Sequence, residues 1–122
     1  MTEPTRIRLS RAKGWRKPAG AVVVSRPSRW GNPFTIEWAK LGREPDMSDE
    51  RARAIVVDCY RWWLTDAAWA DQFRSDVLPV RRAWILEHVH ELAGKDLCCW
   101  CKTDEPCHAD ILLALANGDG RG

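Results

Sequence analysis

Hydrophobic positions along the chain alternate between two rhythms. Gly20-Ala21-Val22-Val23-Val24-Ser25 is a β-branched run closed by Gly on one side and Pro on the other. It predicts a buried strand, and its unbroken apolar character places it centrally in a sheet. Residues 41 to 47 read as a linker containing Gly42 and Pro45. Ser48 then offers an N-cap, and Asp49 and Glu50 complement a helix dipole. Ala52, Ile55, Val56, Cys59 and Trp62 or Trp63 follow at helical spacing, predicting an amphipathic helix over 47–65 with Cys59 as a buried thiol. Residues 66–77 allow a short helix. Pro79 suits a first helical turn, and Val80, Trp84, Ile85, Val89 and Leu92 form an apolar face ended by Gly94. His88 and His90 read as packed or solvated side chains. A second strand is predicted over 96–101 and a last helix over 109–117, stopped at Gly118.

Strands separated by helices imply a small single-domain α/β fold with a mainly parallel sheet flanked by helices. Two strands are few, so 7–9 or 35–38 is expected to add an edge strand. The organisation expected is a basic N-terminal arm (1–18), one α/β domain (19–117) and a flexible tail (118–122). In a parallel sheet the loops following the strands emerge on one side, where open α/β sheets bind ligands. The loops 26–34 and 101–108, at the C-terminal ends of two strands, are therefore expected to face one cleft.

At 122 residues, with 45% hydrophobic and 30% charged residues, the chain can bury a modest core without disulfides. No uncharged run reaches membrane-spanning length, and the basic start lacks an apolar segment, so a cytoplasmic location and no membrane partner are expected. Reduced thiols follow from that compartment, which turns the five cysteines towards metal or reactivity. The net charge of +2 conceals an asymmetry: residues 1–31 hold eight cations against Glu3 alone. Such an arm, with Trp15 interleaved, either binds nucleic acid through residues 6–29 or lies solvated on the surface. Most of the eight tryptophans are expected in the core or in pocket walls.

Four of the cysteines lie in Leu97-Cys98-Cys99-Trp100-Cys101-Lys102-Thr103-Asp104-Glu105-Pro106-Cys107-His108-Ala109-Asp110. Strand alternation puts Cys99 and Cys101 on one face and Cys98 and Trp100 on the other. Cys99, Cys101, Cys107 and His108 then form a candidate ligand set for zinc, although C-x-C-x5-C-H differs from common zinc spacings. A second reading makes Cys107 a thiolate at a helix N-terminus with His108 as its acid or base, a catalytic pair. A third packs the cysteines as small core residues. In the earlier loop, Arg26, Ser28, Arg29 and Asn32 suit an anion or a base edge, and Trp30 offers a stacking plane; Asp110 completes the candidate ligand-binding set. The alternative for this loop is polar groups that satisfy their own backbone.

Lys13-Gly14-Trp15-Arg16, Val24-Ser25-Arg26-Pro27-Ser28-Arg29-Trp30-Gly31-Asn32-Pro33-Phe34 and the segment from Gly94 to Leu112 together resemble the domain of unknown function 4326 family, seen largely in bacteriophages and actinobacteria. Ser25 stands where that family often has Gly. The resemblance spans nearly the whole chain and implies a small stand-alone, phage-encoded cytoplasmic protein without an established activity. The C-terminal motif is also similar to a second uncharacterised family with Cys-His at a helix start, which favours Cys107 and His108 as a functional pair. The leading expectation is a protein that binds a nucleotide or other phosphate-bearing ligand between the two loops. The alternatives are a zinc-stabilised, non-catalytic nucleic-acid-binding module and a phage accessory protein that binds a host protein.

Overall fold

A computed structural model describes residues 3–41, 44 and 46–118. The expected tail beyond Gly118, and Gly42, Arg43 and Pro45 of the expected linker, lie outside the described residues. The elements in chain order are β1 (Arg6–Arg8), β2 (Val22–Val23), α1 (Ile36–Lys40), α2 (Asp49–Thr65), α3 (Ala67–Ala70), α4 (Leu78–His88), a 3-10 turn (Val89–Leu92), β3 (Leu97–Cys99) and α5 (His108–Asn117). The fold is mixed α/β, with a three-stranded parallel sheet ordered β1-β3-β2.

The central strand is β3, which corrects the expectation for the Val-rich run. Leu97 pairs with both Arg6 and Val22, and Cys98 with both Ile7 and Val23. All three β3 residues are buried, whereas Val23 of the edge strand β2 is 36% exposed. Apolar continuity reports burial on two faces and carries no information about which strand has two neighbours. Main-chain bonds extend the sheet past the short strands, from Leu9 N to Cys99 O (2.7 Å) and from Val24 N to Cys98 O (2.9 Å). Of the two candidate edge strands, the first exists as β1. The second is helix α1, because the Thr35 hydroxyl accepts the Trp38 N–H at 3.0 Å and caps a helical turn.

Helix α2 begins where its sequence signals place it, with the Ser48 hydroxyl accepting the Arg51 N–H at 3.1 Å. Its buried face carries Ala52, Val56, Cys59, Tyr60 and Trp63, and Trp62 points outward. Helix α5 packs on α2 and on the 3-10 turn, and it ends at Gly118 in the left-handed conformation (φ 73°). On α4 the expected apolar face is only partly realised. Ile85 is fully buried, but Val80 is 69% exposed, because the loop after β2 meets α4 without closing over its first turn and leaves a cavity there. His88 is packed, its ring stacked on Trp84 at 4.4 Å with Nδ1 2.7 Å from the Trp84 carbonyl. Among the described residues no helix is long and apolar enough to cross a membrane.

Candidate functional site

Three elements bring the cysteines together. Cys99 ends the central strand, Cys101 lies in the bend that follows, and Cys107 is the N-cap of α5. The Cys99 and Cys107 sulfurs are 3.2 Å apart, and the Sγ atoms of Cys99, Cys101 and Cys107 all lie within 4.8 Å of one another. Cys98 is buried on the other face of the strand, as alternation requires, and burial pushes its thiol upward. Three such close thiols could hold a metal ion. Zinc–sulfur bonds of about 2.3 Å in tetrahedral geometry imply sulfur separations of about 3.8 Å. The Cys99–Cys107 separation lies below that value, and none of the separations exceeds 4.8 Å.

Thiols this close share protons. Hydrogen bonds from Cys101 and Cys107 hold the Cys99 thiol well below its ordinary range, while Cys101 is pushed up as the partner that retains its proton. Cys107 is lowered, chiefly by its hydrogen bond with Cys101 and further by His108. The trio does not extend to His108, which adjoins it through Cys107. His108 Nδ1 is 3.6 Å from the Cys107 sulfur, and Nε2 is 2.7 Å from the Val24 carbonyl. A carbonyl only accepts, so Nε2 carries a proton towards Val24, and Nδ1 faces the Cys107 sulfur. The Tyr60 ring meets the imidazole edge-on at 5.3 Å and fixes its plane.

Arg6 supports the cluster from β1, a role the sequence does not signal. Its Nη2 donates to the carbonyls of Lys102 (3.3 Å), Thr103 (2.6 Å) and Glu105 (2.7 Å), and its Nε lies 3.0 Å from Asp110 Oδ1. Burial works against this charge, but Asp110, Cys107 and Cys99 more than offset it and raise the Arg6 pKa. In return the guanidinium stabilises thiolate at Cys99. Asp110 is therefore engaged within the protein, since its other oxygen accepts the Cys107 N–H at 3.3 Å and caps α5. The Arg53 guanidinium adds a second clamp on the loop through Glu105, at 3.1 Å.

The loops after β2 and β3 do face one cleft, of about 340 Å³, with Arg26, Phe34, Arg53, Cys101, Pro106 and His108 among its walls. The first loop contributes less to it than its residue types suggest. Arg26 lines the cleft, whereas Ser28, Arg29 and a further face of Arg26 line a separate cavity against α4. The Asn32 amide is engaged by backbone at both ends, donating to Val56 O (2.8 Å) and accepting from Phe34 N (2.9 Å). Trp30 is buried edge-on against Trp84, with ring centroids 4.8 Å apart, and its carbonyl accepts the Tyr60 hydroxyl at 2.7 Å. Gly31 allows Arg26 to lie across the loop. A Cβ there would sit 2.6 Å from Arg26 Cγ and 3.2 Å from the Ser28 carbonyl. Gly31→Ala is accordingly expected to cost about 1–3 kcal/mol in urea unfolding by overpacking the loop.

No curated protein and no solved structure matches this chain. The family described as Domain of unknown function (DUF4326) matches residues 7–118, a span that takes in β1 from Ile7 onward, both loops, the thiol trio and α5. The chain belongs to the DUF4326 family.

Proposed function

We propose that the protein holds a zinc ion on Cys99, Cys101 and Cys107 and binds a phosphate-bearing ligand of the nucleotide class in the adjoining cleft. The observation that carries this reading is the clustering of three sulfurs within 4.8 Å in the wall of a cleft to which both motif loops contribute. Arg26 supplies positive charge for an anionic group, while Arg53 in the same wall is held by Glu105. Phe34 and Pro106 give apolar walls that exclude water from one side. His108 is positioned by Val24 to accept a proton at Nδ1 or to add a nitrogen donor next to Cys107. Zinc with three protein ligands has one further position for a ligand atom and supplies Lewis acidity there. Arg6 balances the negative charge of the thiolates and holds the 102–105 backbone around them.

The test is elemental mass spectrometry on freshly purified, tag-free protein. About one zinc per chain is expected, lost in Cys101→Ser and retained in Cys98→Ala, whose thiol lies outside the trio. Metal-free, fully folded wild-type protein with an alkylatable Cys107 would replace this reading with a reactive-thiol site. One observation favours a non-catalytic, nucleic-acid-binding reading as the second choice. The Arg11 guanidinium lies 4.4 Å from the centroid of the half-exposed Trp100 ring, beside Arg8, giving a cationic and aromatic surface next to the thiols. That reading requires oligonucleotide affinity that falls steeply with salt.

A further inference from the structure

The cavity between the first loop and α4 is larger than the thiol-lined cleft, at about 660 Å³, and shares with it only the side chain of Arg26. Arg26 and Arg29 enter it from the loop, and Arg81 enters from α4. Among the described residues no carboxylate pairs with any of these three arginines. Arg81 uses one N–H on the Gly31 carbonyl at 2.8 Å, and Arg29 lies over the Trp84 ring, 5.1 Å from its centroid. Ser28 also lines the cavity, and its hydroxyl is buried without a hydrogen-bond partner. The remaining wall is apolar, made by Pro27, Val80 and Trp84.

Each half of this arrangement offers surface to an occupant. Three guanidinium groups without a carboxylate partner line one cavity, and Val80 exposes 69% of its surface on the first turn of a helix whose Ile85 is fully buried. A ligand that answers both must carry concentrated negative charge at one end and a flat or apolar body at the other. Arginine forks match phosphate oxygens, and their number exceeds what one carboxylate would engage. His88 already stacks on the Trp84 indole and Arg29 lies over it, so a planar ring extends that stack on the Arg29 side. The volume lies within the roughly 300–1,000 Å³ usual for sites that enclose one small molecule.

We infer that the cavity between the Arg26–Arg29 loop and α4 is a second ligand site, which takes a mononucleotide-class molecule with its phosphate on Arg26, Arg29 and Arg81 and its ring against Trp84 and Val80. The inference is independent of the thiol cluster, because no cysteine lines this cavity. It also accounts for Ser28 and Arg29, which the cleft leaves out.

The test is titration of the full-length chain with AMP, adenosine and inorganic phosphate, followed by calorimetry and by amide and indole resonances in a nitrogen–proton correlation spectrum. AMP is expected to bind at least tenfold more tightly than adenosine, shifting the resonances of Arg29, Val80, Arg81 and the Trp84 indole. Val80→Glu places a carboxylate in the cavity from an exposed position, and Arg29→Ala removes an exposed cation. Both variants keep the buried core, which circular dichroism verifies, and each is expected to weaken AMP at least tenfold. Absence of AMP binding, resonance shifts confined to residues 99–108, or AMP affinity unchanged in both variants would overturn the inference.

Discussion

Cys107→Ala is expected to reduce zinc affinity by more than about a hundredfold and to make the melting temperature insensitive to chelator. Changing a residue that merely orients a ligand costs about 10–100-fold in metal affinity, so losing a sulfur from a three-sulfur set costs more. Cys107 is the member that ties the other two to α5: its sulfur is 3.2 Å from that of Cys99, and its backbone caps the helix through Asp110. A metal bound only by the folded state adds its binding free energy to stability. Wild-type protein should therefore melt at a lower temperature after chelation, while the variant, already without metal, should not respond. Differential scanning calorimetry with and without chelator reads both results. A variant that keeps stoichiometric zinc would remove Cys107 from the ligand set.

Arg6→Met should destabilise the fold by about 3 kcal/mol, although the first loop carbonyl it contacts, that of Lys102, lies 96 residues away along the chain. Its guanidinium side chain is 9% exposed and bonds three loop carbonyls as well as Asp110. Hydrogen bonds to a charged group contribute about 1.5–3 kcal/mol each, and the half-exposed Asp110 regains water when its partner is lost, so the net effect falls well short of the sum. A loss of about 3 kcal/mol lowers the melting temperature of a chain this size by roughly 10 °C. Arg8→Met, on an exposed residue of the same strand, should change stability by less than about 0.5 kcal/mol. Equal effects at the two positions in urea unfolding would sink the assigned role of Arg6.

The same residue marks where local reading ends. Arg6 belongs to a run of cations that resembles a phosphate-binding arm, yet parallel pairing with β3 turns it onto the thiol loop. Nothing within ten residues of Arg6 encodes a partner near residue 105. Asn32 and Trp30 illustrate the opposite displacement. Their types suit a base edge and a stacking plane, but a loop that turns sharply after a strand must satisfy its own buried polar groups, and Asn32 does so with both ends of its amide. Trp84 and Arg81 carry no motif at all, since at helical spacing an aromatic and an arginine look like any packed face and its rim.

What the chain determines by itself is local. Ser48 and Gly118 mark helix ends because a side-chain oxygen at an N-cap and a left-handed residue after the last turn act on neighbouring backbone groups. The facing of Cys99 away from Cys98 follows from strand alternation, which ends before Cys101, and the convergence of the two motif loops follows from parallel strands. Tertiary structure decided the rest: that the cysteine strand and not the valine strand lies in the centre, that Cys107 closes on Cys99, that Arg6 sits beneath them, and that the first loop divides its arginines between two cavities. These outcomes depend on contacts between segments far apart in sequence, whose energies come from burial and pairing in the assembled fold and leave no periodic trace along the chain.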